Sequence, residues 1–222
     1  IDTIERDEER VKQARENIKL VGVENKINIY EGDAVEILPT LNEKYDMVFI
    51  DAAKGKYPIF LSEAIRMLAE GGIIIADNVR SMHNVGSIFR TSDAFLVEKI
   101  YLCGITPTPP HREIQKTALG ATESVDWQYA ENTLDVVNQL KKEGWTILAL
   151  EQTTNSVMLD ELKIEKGEKI AIVLGNEVEG VNQEVINLCH KAVEIPQFGT
   201  KHSFNVSVSC GIMLWQVYLC LK

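Results

Sequence analysis

Ile73-Ile74-Ile75-Ala76-Asp77-Asn78-Val79-Arg80-Ser81-Met82-His83-Asn84-Val85-Gly86-Ser87-Ile88-Phe89-Arg90-Thr91 is the stretch on which the fold turns. A β-branched run ends in two polar residues, and a helical pattern opens almost at once over 85–95. Upstream, a helix expected over 58–68 turns Phe60, Ala64, Ile65 and Leu68 to one face and stops at Gly71. Before it come a strand ending in Thr3-Ile4-Glu5 and a helix opened by Asp7, with Val11, Ala14, Ile18 and Val21 in line and Gly22 as its stop. A strand at 27–30, a short helix between Gly32-Asp33 and Pro39, and an apolar strand at 47–50 follow. Downstream the pattern gives a strand at 99–103, a Pro-rich loop at 106–110 and a short strand near 118–119. A helix at 133–142, strands at 146–150, 170–174 and 192–195, and a closing apolar helix at 205–221 complete it. Strands alternating with helices predict an α/β chain with a mainly parallel sheet. No linker interrupts the chain near residue 79, so one continuous sheet is expected.

The chain has 222 residues, enough for one large domain or two small ones. Its 45% hydrophobic and 25% charged residues are ordinary for a soluble protein. No apolar run approaches the ~20 residues that span a bilayer, and the first residues do not read as a signal peptide, so a cytoplasmic protein is expected. The absence of an initiator Met reads as a trimmed or cut-down chain. Cys103, Cys189, Cys210 and Cys220 have no metal spacing and read as reduced, mostly buried thiols. A net charge of −10 opposes nucleic-acid binding through a global field. Residues 1–79 hold 16 acidic and 10 basic groups, and residues 80–222 hold 17 and 13. Any nucleic acid must therefore meet local patches such as Arg80, Arg90, His111-Arg112 and Lys201-His202.

Three segments carry the chemistry. The first runs from Asn84 to Asp93; the second is Ile172-Val173-Leu174-Gly175-Asn176-Glu177-Val178-Glu179-Gly180. The third is Ile195-Pro196-Gln197-Phe198-Gly199, followed by Ser203-Phe204-Asn205-Val206-Ser207-Val208-Ser209. Leu174-Gly175 takes an apolar strand into a turn that a ligand can approach closely. Pro196 stiffens a second loop, Gly199 lets it turn, and small residues open the last helix. In order and spacing these segments resemble the SpoU/TrmH family of the SPOUT superfamily over about residues 77–222. Those proteins are S-adenosylmethionine-dependent RNA ribose 2′-O-methyltransferases. The resemblance implies a trefoil-knotted α/β domain over 80–222 and S-adenosylmethionine as cofactor. It also implies tRNA or rRNA as substrate, and a homodimer paired through the first-motif helix and the last helix. It makes Arg90 the central catalytic residue, with Asn84, Glu177, Ser203 and Asn205 around it. The cofactor would lie against Leu174, Gly175, Asn176, Ile195, Pro196 and Phe204; the family usually has leucine at this last position. A guanidinium pKa above ~12 makes Arg90 a poor base, so we expect it to grip phosphate and steer the hydroxyl, with the proton acceptor left open. Alone, Asn205 reads as a helix N-cap, His111 and His202 as loop residues, and Trp127, Trp145 and Trp215 as core or interface aromatics.

Residues 1–79 resemble the middle of the cation-dependent O-methyltransferases of the catechol and caffeoyl-CoA type. That resemblance puts Glu5 at a cofactor ribose, Asp33 near its adenine, and Asp51, Asp77 and Asn78 as the oxygen ligands of a divalent ion. No glycine-rich loop precedes Glu5. The expectation is therefore a partial Rossmann-type segment with a vestigial metal site, joined at 79–80 to the SPOUT part as an engineered chimera. No resident metal is expected, and the strand at 170–174 is expected to fill the slot beside 47–50. Two alternative functions stand beside RNA methylation: an inactive chimera that still binds cofactor, and a Mg-dependent small-molecule O-methyltransferase.

Overall fold

Capping chemistry at Asp7 and Gly22 sets the first helix. In the computed structural model, which describes residues 1–41, 45, 47–50, 56, 59–60, 64, 71–165, 167–200 and 203–221, the chain divides into two compact units, Ile1–Glu70 and Gly71–Lys222. In the first unit, β1 (Asp2–Glu5) pairs in parallel with β2 (Asn28–Glu31). Between them in sequence runs α1 (Glu8–Val21), where the Asp7 carboxylate accepts the Arg10 N–H at 3.0 Å. Gly22 then takes a left-handed φ of 73° and donates to the last carbonyls, as a C-terminal glycine should. Asp33 caps the short α2 (Ala34–Ile37). The helix expected over 58–68 lies mostly outside the described residues; Phe60 and Ala64 are buried.

The second unit is a seven-stranded, all-parallel sheet in three layers. Its strands are β3 (Ile73–Asp77), β4 (Lys99–Cys103), β5 (Asp126–Ala130), β6 (Thr146–Leu150), β7 (Val157–Met158), β8 (Ile170–Leu174) and β9 (Lys191–Glu194), in the order β5-β4-β3-β8-β6-β9-β7. Period-two alternation sends side chains to both faces. Ile74, Ala76, Ile172 and Leu174 pack under α3 (Met82–Ala94), α4 (Arg112–Ala118), α5 (Ala121–Ser124) and α8 (Val206–Leu221). Ile73, Ile75, Ala171 and Val173 pack under α6 (Thr133–Lys142) and α7 (Gln183–Leu188). The central strands β3 and β8 are buried along their whole length, which is why they are aliphatic throughout apart from Asp77 at the end of β3. No helix among the described residues is long and apolar enough to cross a membrane.

The expectation of an α/β chain with a mainly parallel sheet holds, but the strands among the described residues do not form one continuous sheet: β1 and β2 pair apart from the seven-stranded sheet. The strand at 73–77, counted with the upstream part, belongs to the second unit: it pairs with β4 and β8. The units accordingly part between Glu70 and Gly71, ahead of residue 79. The neighbours of β8 are β3 and β6, so it does not take the slot beside 47–50. Residues 47–50 form no strand, and Met47 and Phe49 are exposed: an apolar run becomes a strand only where a sheet edge receives it. The short strand near 118–119 is instead the end of α4, with Leu119 as its left-handed cap.

Candidate active site

Parallel pairing brings the ends of β3, β8, β6 and β9 to one edge of the sheet, where ligands are received in open α/β folds. All three motifs leave from that edge. The Ser81 hydroxyl caps α3, accepting the Asn84 N–H at 3.3 Å. From the loop after β8, the Glu177 carboxylate accepts the Arg80 N–H (2.9 Å), the Ser81 N–H (3.0 Å) and the Asn84 side-chain amide (2.8 Å). From the loop after β9, Asn205 Nδ2 donates to Asn84 Oδ1 at 3.0 Å. Its own Oδ1 accepts the Ser207 N–H at 2.9 Å and so caps α8. A continuous chain of hydrogen bonds, Glu177 to Asn84 to Asn205, therefore ties the three motifs together. Partial burial opposes the Glu177 charge, but the Arg80 and Ser81 N–H groups and the Asn84 amide outweigh it and hold this carboxyl below the usual glutamate range.

The loop after β8 is a closed turn. Asn176 and Gly180 exchange both backbone hydrogen bonds, at 3.0 and 2.9 Å. A Cβ on Gly175 would stand 2.2 Å from the Gly180 carbonyl carbon, so only glycine fits there. The Asn176 side chain builds this turn: Oδ1 accepts the Val178 N–H, and Nδ2 donates to the Asn78 carbonyl at 2.8 Å. Leu174 is buried beneath it. The segment after β6 joins the two motif loops. Glu151 accepts the Val181 N–H at 2.9 Å, and Gln152 donates to Glu194 at 2.7 Å. Glu151 and Gln152 carried no motif, and only strand order reveals them. Around the loop after β9, Ile195 is partly buried against the core, while Phe204 is exposed. The backbone groups of residues 196–199 make no backbone hydrogen bond among the described residues. The carbonyls of this loop and the N–H groups of Gln197, Phe198 and Gly199, unpaired among the described residues, with apolar Ile195 and Pro196 before them, suit an adenine nucleoside with a thioether arm, so these residues fit S-adenosylmethionine.

Asp77 and Asn78 have internal roles. Asp77 is buried, and its carboxylate accepts the Thr133 hydroxyl (2.6 Å), the Asn182 N–H (3.2 Å) and the Asn78 amide (2.9 Å). Asn78, in the left-handed region at φ 56°, accepts the Ile105 N–H at 3.1 Å through Oδ1. The pair thus pins the ends of β3, β4 and β8 to one another. Asp51 lies outside the described residues, and no three His, Cys, Asp or Glu side chains among the described residues gather as a metal site. In the first unit, Glu5 accepts the backbone N–H groups of Arg6 and Asp7. Asp33 caps α2 and pairs with Lys56 at 3.2 Å.

Arg90 is exposed on α3, and its guanidinium makes no hydrogen bond or ion pair among the described residues. Ser203 is exposed two residues before Asn205. His111 caps α4 through Nδ1, Trp145 is core, and Trp215 is half exposed on α8. Lys201 and His202 fall outside the described residues.

An all-parallel sheet whose loops meet at one edge, with three motifs joined there, places the chain among open α/β proteins that receive a ligand at that edge. The sequence pattern of the SpoU rRNA methylase family matches residues 72–215, and the chain belongs to that family. The pattern of an O-methyltransferase family matches residues 1–94. The chain is 33% identical over 162 residues to the tRNA (guanosine(18)-2′-O)-methyltransferase of Aquifex aeolicus, covering 70% of this chain and 72% of that protein. It is 31% identical over 167 residues to the 23S rRNA (guanosine-2′-O-)-methyltransferase RlmB of Neisseria meningitidis, covering 75% of this chain. The match spans 65% of that relative's length. Among solved structures, the AdoMet-bound rRNA methyltransferase of Sinorhizobium meliloti superposes with a TM-score of 0.64 at 28% identity, over 69% of this chain and 58% of that one.

Proposed function

We propose that this chain transfers a methyl group from S-adenosylmethionine to the ribose 2′-hydroxyl of a tRNA or rRNA nucleotide in the cytoplasm. The observation that supports it best is the Glu177–Asn84–Asn205 hydrogen-bond chain uniting the three motifs. Bound S-adenosylmethionine supplies an already electrophilic methyl, so the protein's own part is placement and proton removal. The turn at Gly175–Asn176 and the Ile195–Pro196 and Phe204 surface hold the cofactor. Arg90, with no partner of its own among the described residues, grips the phosphate beside the acceptor ribose. Asn84 and Asn205, locked to each other, orient the hydroxyl together with Ser203. Glu177 already accepts three donors and is held ionised. It acts by fixing Asn84.

The chain works as a homodimer in this reading. The last helix, α8, is apolar nearly all round, yet Trp215, Tyr218 and Leu219 stand 52%, 45% and 46% exposed. Residues 1–79 are read as the remnant of an O-methyltransferase joined to the SpoU part, supported by the second family pattern over 1–94. The commitments of Asp77 and Asn78 speak against a metal-dependent reaction there. Methyl transfer from labelled S-adenosylmethionine into bulk tRNA and rRNA tests the reading. Activity should persist in Asp51→Ala and fall by two orders of magnitude or more (about 10²-fold) in Arg90→Ala. Activity on a catechol that requires Mg²⁺ would replace it with the small-molecule alternative.

A further inference from the structure

The RNA reading leaves open how an acidic chain holds a polyanion. The second unit has three arginines, Arg80, Arg90 and Arg112, all between residues 80 and 112. Residues 71–120 carry five Lys and Arg against four Asp and Glu, while residues 121–222 carry eight against fourteen. The acidic excess thus lies in the later part of the unit. Helix packing gathers the basic groups further. A Cβ on Gly86 would meet Thr117 Oγ1 at 2.1 Å, so α3 and α4 lie in close contact. Thr117 donates to the His83 carbonyl at 2.9 Å, which sets α4 beside the first turn of α3. His83 Nε2 stands 3.3 Å from Glu113, and Lys116 Nζ stands 2.7 Å from it. Residue 83 adjoins Asn84, so this strip borders the three-motif cluster.

Glu113 is the strip's lone carboxylate among these residues, and it is already engaged. Its hydrogen bond to Lys116, with the fields of Lys116, His83 and His111, holds its carboxyl below the usual glutamate range. Arg112, next to it, is exposed, and its guanidinium has no hydrogen bond or ion pair among the described residues. The Arg80 guanidinium is likewise exposed and unpaired there, while its backbone N–H binds Glu177. The carboxylates beside them, Glu113 and Glu177, are already taken up by Lys116 and His83 and by the Arg80, Ser81 and Asn84 N–H groups.

We infer that the strip formed by Arg80, Arg112 and Lys116, at the ends of α3 and α4, binds the phosphodiester backbone of the RNA flanking the methyl-accepting nucleotide. This inference rests on the proposed RNA activity and adds a backbone-holding subsite to it. Contacts of this kind set register and affinity without reading bases.

Filter binding of unfractionated tRNA across a KCl series tests it, with cofactor affinity measured in parallel by calorimetry. Arg112→Gln should weaken RNA binding several-fold and lower the slope of log K against log salt by about 0.7–0.9. Cofactor affinity should stay unchanged. Arg112→Lys should keep the slope, and Lys142→Gln, on α6 at the opposite face of the sheet, should alter nothing. An unchanged slope in Arg112→Gln, or the same loss in Arg112→Lys as in Arg112→Gln, would overturn the subsite while the RNA activity stands. Failure of the unaltered chain to bind RNA at low salt would overturn both, and that outcome is distinct.

Discussion

At the residue scale, Glu177 decides how well the three motifs hold together, because it accepts from both backbone and side chain of the first motif. Its lowered pKa has a consequence for stability. A carboxyl whose folded pKa lies below its unfolded value stabilises the fold at pH above that unfolded value, about 4.3 for glutamate. The contribution disappears as pH falls through the lowered folded pKa. Melting curves of the chain and of Glu177→Gln should therefore differ most near neutrality and converge as the pH is lowered into the acid range. Parallel curves across that range would show that the carboxylate charge does not hold the cluster. Asn84, Glu177 and Asn205 were legible in the sequence because each sits at a fixed place in a motif. Asp77 and Asn78 were noticed as candidate metal ligands, because a carboxylate beside an amide after a strand suits a metal as well as a set of inter-loop hydrogen bonds. Only the positions of Thr133, Ile105 and Asn176 around them separate the two. Glu151 was not legible at all, since its partner, the Val181 N–H, lies on a non-consecutive strand's loop.

Among the elements, α3 and α4 show how closely the first motif is built into the fold. Gly86 faces the Ile114 carbonyl, where an added Cβ would stand at 2.3 Å from a backbone atom that cannot turn aside. Alanine gains at most ~1 kcal/mol in helix propensity over glycine, while forced overpacking costs about 1–3 kcal/mol. Gly86→Ala should therefore lower unfolding stability in urea, and a gain in stability would contradict the close helix contact. The elements read best from sequence were those buried on both faces or bounded by clear caps: β4, β6, β8 and α6 fall where their patterns put them. The strand β5 was missed because it is an edge strand, Asp-Trp-Gln-Tyr-Ala, exposed at Asp126, Gln128 and Tyr129 without a clean alternation and lacking β-branched residues. The helix α4 was hidden behind the Pro-rich loop; its start depends on the His111 ring accepting the Glu113 N–H, an uncommon cap.

For the whole molecule, strand order was beyond any periodicity argument. Nothing in the repeat of apolar residues says that β8 enters between β3 and β6, yet that insertion brings Glu177 to Asn84, 93 residues earlier. The division at Glu70 was equally hidden, because the strand at 73–77 suits either family pattern and sheet pairing alone assigns it to the second unit. The half-exposed rings of Trp215 and Tyr218, packed on Phe95, carry the dimer reading. Sedimentation equilibrium should give twice the chain mass, falling to one chain mass in Trp215→Glu; one chain mass for the unaltered protein would refute the dimer. The claim beneath all of this is that three distant segments act as a single unit. A double-mutant cycle of Asn84→Ala and Asn205→Ala on kcat/KM for RNA methylation addresses it most directly. Side chains in one hydrogen-bonded network should couple by about 0.5–3 kcal/mol. Additivity within about 0.5 kcal/mol would mean that the motifs work separately, and the site described here would not be the catalytic one.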